Sequence, residues 1–151
     1  MSALFVGLGS NLGDRAQHLR FAVRELARSP GFRSLRLSGL RQTSPVGGPD
    51  QPDYLNAVLQ CESSLSPWQV LAQLQRVELL RQRRRLCADG PRNLDLDLLL
   101  FGSQEVQSKF LTLPHPRMQS RRFVLEPLAE LAPRFVFGGI TASACLKSLV
   151  D

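Results

Sequence analysis

The nine residues Asn93-Leu94-Asp95-Leu96-Asp97-Leu98-Leu99-Leu100-Phe101 constrain this chain more than any other stretch. Polar and apolar side chains alternate at period two from Asn93 to Leu98, and an extended strand is the element that sorts such a pattern onto two faces. Leu94, Leu96 and Leu98 then point into a core. Asp95 and Asp97 project together from the opposite face, ~6.6 Å apart at a rise of ~3.3 Å per residue. Like charges at that spacing repel and raise each other's pKa unless a cation lies between them. Mg²⁺ relieves such repulsion, taking one or two carboxylates together with phosphate oxygens and water. For an isolated Asp-x-Asp the default reading is a wet sheet face. Here, however, five arginines between Arg81 and Arg92 precede the pair, which weights the reading toward a metal–nucleotide site.

The rest of the chain supplies partners for that strand. Residues 2–9 are an apolar run ended by glycine, which reads as a buried strand. Leu19, Ala22, Val23 and Leu26 then recur at helical spacing, and this helix should stop near Ser29-Pro30-Gly31. Residues 33–43 alternate loosely, as one strand with a solvated face. A Pro- and Gly-rich stretch from Thr43 to Asp53 reads as a long and therefore functional loop. Tyr54 to Cys61 resumes a strand. Ser66-Pro67-Trp68-Gln69 has the residues of a capping box with proline at the first helical position, opening a helix to about Arg81 with Val70, Leu74 and Val77 inward. Trp68 is expected to pack, and Glu78 to face a cleft edge. A short strand around 104–107, a Pro114-His115-Pro116 loop, a helix near 123–131 and a helical segment from Thr141 complete the pattern. Strand, helix, strand, strand, helix, strand is the split βαβ plan: a ferredoxin-like α+β domain over 1–151, with two helices on one face of an antiparallel sheet and extra C-terminal helical segments.

A length of 151 residues suits a single domain. No apolar run approaches the ~18 residues of a membrane-spanning helix, and the N-terminus has no secretion signal, so the cytoplasm is expected. Cys61, Cys87 and Cys145 have neither metal-ligand spacing nor a disulfide framework. Nineteen basic against thirteen acidic residues give a net charge of +6, almost wholly guanidinium, which suits bidentate contact with phosphate and points to an anionic partner. Phosphoryl-type transfer needs cations on the transferring oxygens and a positioned nucleophile. Arg83, Arg84, Arg85, Arg92, Arg121 and Arg122 could supply the first. No Walker sequence is present, so side chains and metal would hold a nucleotide. His115, between two prolines, is a candidate donor to phosphate. Tyr54 and Asn56, two apart in a strand, offer a ring edge and an amide to a flat polar ligand.

Four co-linear segments carry a resemblance: Gly9-Ser10-Asn11-Leu12-Gly13, Gln51-Pro52-Asp53-Tyr54-Leu55-Asn56-Ala57, Gly90-Pro91-Arg92-Asn93-Leu94-Asp95-Leu96-Asp97, and Leu113-Pro114-His115 followed by Arg121 and Phe123. Together they resemble the 6-hydroxymethyl-7,8-dihydropterin pyrophosphokinases of folate biosynthesis over nearly the whole chain. The resemblance implies transfer of the β,γ-pyrophosphoryl group of ATP to the pterin's hydroxymethyl oxygen with release of AMP. Two Mg²⁺ would be held at Asp95 and Asp97. Thr43, Val46, Tyr54, Asn56 and Phe123 would meet the pterin, and Gln75, Glu78, Arg92, Thr112, His115 and Arg121 the nucleotide. Arg83, Arg85 and Arg92 would act in transfer, and loops around 11–14, 44–53 and 82–91 would close over the substrates. The partners implied are small molecules, acting on a monomer, with neither nucleic acid nor membrane.

Three alternatives stay open. The first is a non-catalytic relative kept for protein association, favoured only if the altered loop at Ala88-Asp89 abolishes turnover. Of the others, one is a family paralogue with weakened activity or another acceptor alcohol; the other is a ferredoxin-like nucleic-acid-binding module, disfavoured because two carboxylates on a sheet face repel a phosphate backbone. Ala88-Asp89 stands where the family usually carries Arg-Trp, with the tryptophan beside the pterin. A carboxylate in that position predicts poorer pterin affinity or slower loop closure. Asp89→Trp is expected to tighten pterin binding in a fluorescence titration, and an unchanged affinity counts against a lid role for position 89.

Overall fold

A computed structural model describes residues 1–45, 50–81 and 93–149 of the chain. Strand β1 (Ser2–Ser10) leads to helix α1 (Arg15–Arg28), whose N-cap Asp14 accepts the Gln17 N–H at 3.1 Å. Strands β2 (Phe32–Leu37), β3 (Arg41–Thr43) and β4 (Tyr54–Ser63) follow, then helix α2 (Pro67–Leu80) and strand β5 (Asp95–Phe101). A small hairpin, β6 (Val106–Gln107) and β7 (Thr112–Leu113), precedes a 3-10 turn at Met118–Ser120 and helix α3 (Arg122–Leu131). The hairpin of β8 (Val136–Phe137) and β9 (Ile140–Thr141) hands the chain to helix α4 (Ala142–Ser148), capped by the Thr141 hydroxyl. No helix among the described residues is long and apolar enough to cross a membrane.

The main sheet runs β2-β4-β1-β5 and is antiparallel throughout, with β3 as a second partner of β4. That is the ferredoxin-like order, its second strand split in two. The single strand expected over 33–43 fails for local reasons. Ser34 takes φ +58° where the pairing with β4 slips between Arg33 and Arg36. At Ser38 the chain leaves the ladder, yet its N–H donates to the Val58 carbonyl and its hydroxyl accepts the Val58 N–H, both at 2.9 Å. A serine side chain thus replaces a rung that backbone would otherwise supply.

Both sheet faces are covered. Leu4, Val6, Leu8, Leu96 and Leu98 pack under α1 and α2, through Leu19, Ala22 and Leu26 on one helix and Val70, Leu74 and Val77 on the other. Phe5, Val58, Leu99 and Leu100 face α3 and α4 instead. The change of parity on β5 comes from a bulge. Val6 pairs with Leu98 but Phe5 with Leu100, so Leu99 is an extra residue that lets two successive leucines share one face.

One further expectation needs correction, and two elements have no counterpart in the sequence pattern. Trp68 does not pack in the core: it is 48% exposed at the start of α2. Strand β7 and the β8–β9 hairpin were not foreseen, although Gly138-Gly139, at φ +57° and +81°, is the glycine pair that a two-residue hairpin turn accepts. The capping box is as expected. Ser66 Oγ accepts from the Gln69 N–H at 3.2 Å and Gln69 Oε1 from the Ser66 N–H at 2.9 Å. Ser66→Ala should therefore lower stability by about 1 kcal/mol and Ser66→Gly by only a few tenths, read from urea unfolding midpoints at constant m-value.

Candidate active site

Strand pairing sets three side-chain columns beside one another. Gly9 of β1 stands opposite Asn56 of β4 on one side and Asp95 of β5 on the other; Gly7 stands opposite Val58 and Asp97. The central strand has no side chains at those positions on that face, and a cavity of about 410 Å³ opens above it. A Cβ at Gly9 would lie 3.2 Å from Asn56 Oδ1 and 3.4 Å from the Tyr54 ring, so the glycine admits the close approach of both. Glycine at 7 and 9 is part of the strand interior and does not end it. Their spacing of two, in phase with the Asp-x-Asp, was the signal for a recess.

The walls differ in character. Thr43, Tyr54, Asn56 and Phe123 form one end, where the Asn56 amide donates to Thr43 Oγ1 at 2.6 Å. Asp95 and Asp97, both half-buried, form the acidic side. His115, Arg117 and Arg121 form the basic side. The segment 50–53 is tied to β1's exit: the buried Asn11 donates to Gln51 Oε1 at 2.8 Å and to the Pro52 carbonyl at 3.1 Å, and Arg15 donates to the Asp53 carbonyl at 3.0 Å. Asn11 and Gln51 had been noted only as parts of motifs, and Arg117 was missed because an exposed arginine in a loop has no periodicity to mark it.

The bulge in β5 places His115. The Leu99 carbonyl accepts the His115 N–H at 2.9 Å. His115 Nδ1 in turn accepts the Arg117 N–H at 3.3 Å, which leaves the ring proton on Nε2. Burial first, then the Arg121 and Arg117 guanidiniums, hold the imidazole below its ordinary value, with Asp95 opposing them. The ring is therefore a neutral Nε2–H donor at pH 7.

Glu78, Gln75 and Thr112 lie outside the cavity lining. Glu78 is buried and its carboxylate accepts the Leu96 N–H at 2.8 Å, between the two aspartates in sequence. That contact satisfies a backbone donor on the sheet's edge strand and pins α2 to β5. Gln75 is on the exposed side of α2, and Thr112 Oγ1 reaches only the Ser108 carbonyl at 3.5 Å. Arg122, counted with Arg121 as a candidate cation, is paired with Glu126 at 3.7 Å. Val46, Arg83, Arg84, Arg85, Asp89 and Arg92 lie outside the described residues.

Comparison with known proteins decides the family. The model of the 7,8-dihydro-6-hydroxymethylpterin-pyrophosphokinase (HPPK) family matches residues 5–133. The chain belongs to the HPPK family. It is 40% identical over 136 residues to the 2-amino-4-hydroxy-6-hydroxymethyldihydropteridine pyrophosphokinase of Haemophilus influenzae, covering 90% of this chain and 85% of that protein. It is likewise 40% identical over 149 residues to the protein of the same name from Methylorubrum extorquens, covering 99% and 94%. Among solved structures, an HPPK-DHPS of Plasmodium falciparum superposes with a TM-score of 0.70 at 11% identity. A second HPPK-DHPS, solved in complex with substrates, gives 0.73 at 10%. Each match takes in 97% of this chain but 43% of the longer one, and at such identity it speaks for the fold alone.

In this chain the titration of His115 reports the basic wall. In ¹H–¹⁵N NMR, His115 should titrate below 6.5, and Arg121→Ala should raise its pKa because a nearby positive charge no longer disfavours the imidazolium. Since the folded-state value is depressed, the group's contribution to stability is present above about 6.5 and is lost as pH falls through the folded value. A midpoint at or above 6.5 would contradict this.

Proposed function

We infer that the chain transfers the pyrophosphoryl group of ATP to the hydroxymethyl oxygen of 6-hydroxymethyl-7,8-dihydropterin, releasing AMP, in folate biosynthesis. Family membership and relatives of that name at 40% identity over most of both chains support the reaction. One observation ties it to this chain: a glycine-floored cavity with a polar, aromatic end, an acidic side and a basic side.

The assignment of roles follows the chemistry of the walls. The pterin is flat and rich in donors and acceptors, and fits the end where Asn56, Thr43, Tyr54 and Phe123 converge. Burying such a ring costs its hydration unless amide and hydroxyl partners replace it, which is what that end offers. Asp95 and Asp97 would hold Mg²⁺. Among the described residues no three His, Cys, Asp or Glu side chains gather into a metal cage, and two carboxylates match an ion that keeps water and phosphate oxygens as its remaining ligands. Bound there, two Mg²⁺ would neutralise the polyphosphate and favour the charge that develops on the departing AMP oxygen.

The chain's own side chains then bind and orient. His115 donates Nε2–H to a phosphate oxygen without adding charge of its own, while Arg121 supplies a fixed cation. Glu78 and Thr112 sit on α2 and β7, the elements packed against β5, so the adenosine would lie along that edge with its phosphates turned toward the aspartates. We further take the enzyme to be a cytoplasmic monomer acting as a single unit, with Arg83, Arg85 and Arg92 as its loop cations.

The test is product identity. Purified protein given ATP, Mg²⁺ and the hydroxymethyl-dihydropterin should yield AMP, not ADP, and only when the pterin is present. Asp95→Asn and Asp97→Asn should each lower kcat/KM by roughly 10² or more, the size of loss expected when transition-state charge is no longer compensated. AMP absent under every condition would refute the reaction, and release from ATP alone would refute the acceptor.

A further inference from the structure

Building on the polyphosphate site just described, we propose that Arg117 is a third binding residue for the β- and γ-phosphates of the nucleotide, alongside His115 and Arg121. Several arginines of this fold are already engaged by other groups. Arg41 pairs with Glu130 at 3.1 Å, Arg122 with Glu126 at 3.7 Å, and Arg81 lies over the Phe21 ring at 3.9 Å. Arg117 lines the cavity, is exposed there, and has no acidic partner among the described residues.

Its backbone is held at both ends. The N–H donates to His115 Nδ1 at 3.3 Å, and the carbonyl accepts the Ser120 N–H at 3.2 Å and the Ser120 hydroxyl at 3.1 Å. These bonds fix where the Arg117 side chain leaves the main chain, beside His115 at the cavity wall. Placing two guanidiniums on the same wall is unfavourable in the protein alone, since like charges repel. A ligand carrying several negative charges reverses the sign of that interaction, and a planar fork with five donors fits phosphate oxygens better than an ammonium would. The acidic wall opposite presents the same problem with the opposite sign. A polyphosphate carrying Mg²⁺ answers both.

The experiment uses inorganic tripolyphosphate with Mg²⁺ and, separately, AMP as probes, titrated calorimetrically into the whole chain, Arg117→Ala and Arg117→Lys. Loss of a charge-assisted phosphate contact should weaken tripolyphosphate binding by roughly tenfold or more in Arg117→Ala, less in Arg117→Lys, with AMP affinity held within about twofold. The dependence of log K on log salt should also become shallower. Tripolyphosphate affinity unchanged in Arg117→Ala overturns the assignment, as does an equal loss for AMP or the absence of tripolyphosphate binding by the unmodified chain. The reaction itself is judged separately: Arg117-dependent binding by a chain that makes no AMP from ATP and pterin would retain this site and refute the pyrophosphokinase.

Discussion

The arrangement depends on an absence of side chains in the middle of a sheet. In β1, every second residue on the cavity face near its C-terminal end is glycine, while the intervening Leu8 and Val6 are buried under α1 and α2. Any larger side chain at Gly9 would press on Asn56 and Tyr54, and one at Gly7 would meet Leu99 at 3.5 Å. The cost is a strand weakened by residues that lose more conformational entropy than others on folding. It is offset by central placement, because β1 is paired along its length with β4 and β5 and has no free edge.

The two cores divide the work. The α1–α2 side is built from period-two leucines and valines of β1, β4 and β5 meeting helical stripes. The α3–α4 side adjoins the cavity through Phe123 and Val124, which line the recess, with Leu125 and Leu128 buried beyond it. Arg41 on β3 joins this second side by reaching Glu126 at 3.7 Å and Glu130 at 3.1 Å, and Glu130 also accepts the Gly39 N–H at 3.0 Å. The pairs are partly exposed, so they orient α3 against the sheet edge more than they stabilise it.

Much of this was legible in the residues. The alternation at 93–98, the helical stripe of Val70, Leu74 and Val77 and the capping box at Ser66 are strong local signals, and each formed the element expected. Asp95, Asp97, Tyr54, Asn56, Thr43, His115, Arg121 and Phe123 were brought to one cavity from four separate stretches. Local pattern alone would not have assembled them; four motifs in order did. What escaped was tertiary. The division of the second strand arises from a serine hydroxyl bonding across to β4, Glu78's burial from an edge donor that only the folded sheet presents, and Arg117's position from a turn closed onto His115.

The extra residue at Leu99 has a consequence for how this strand can change. Upstream of it, side chains facing the α1–α2 core are even-numbered; downstream, Phe101 returns to that core on an odd number. Removing Leu99 would restore one-to-one pairing with Asp95, Asp97 and Phe101 still on their faces, but it would take a leucine from the α3–α4 core and withdraw the carbonyl that seats His115. Point substitutions among these leucines alter packing by degrees. A residue added between Asp97 and Leu98 has no such outlet: it puts the aspartate pair out of phase with the leucines of the α1–α2 core.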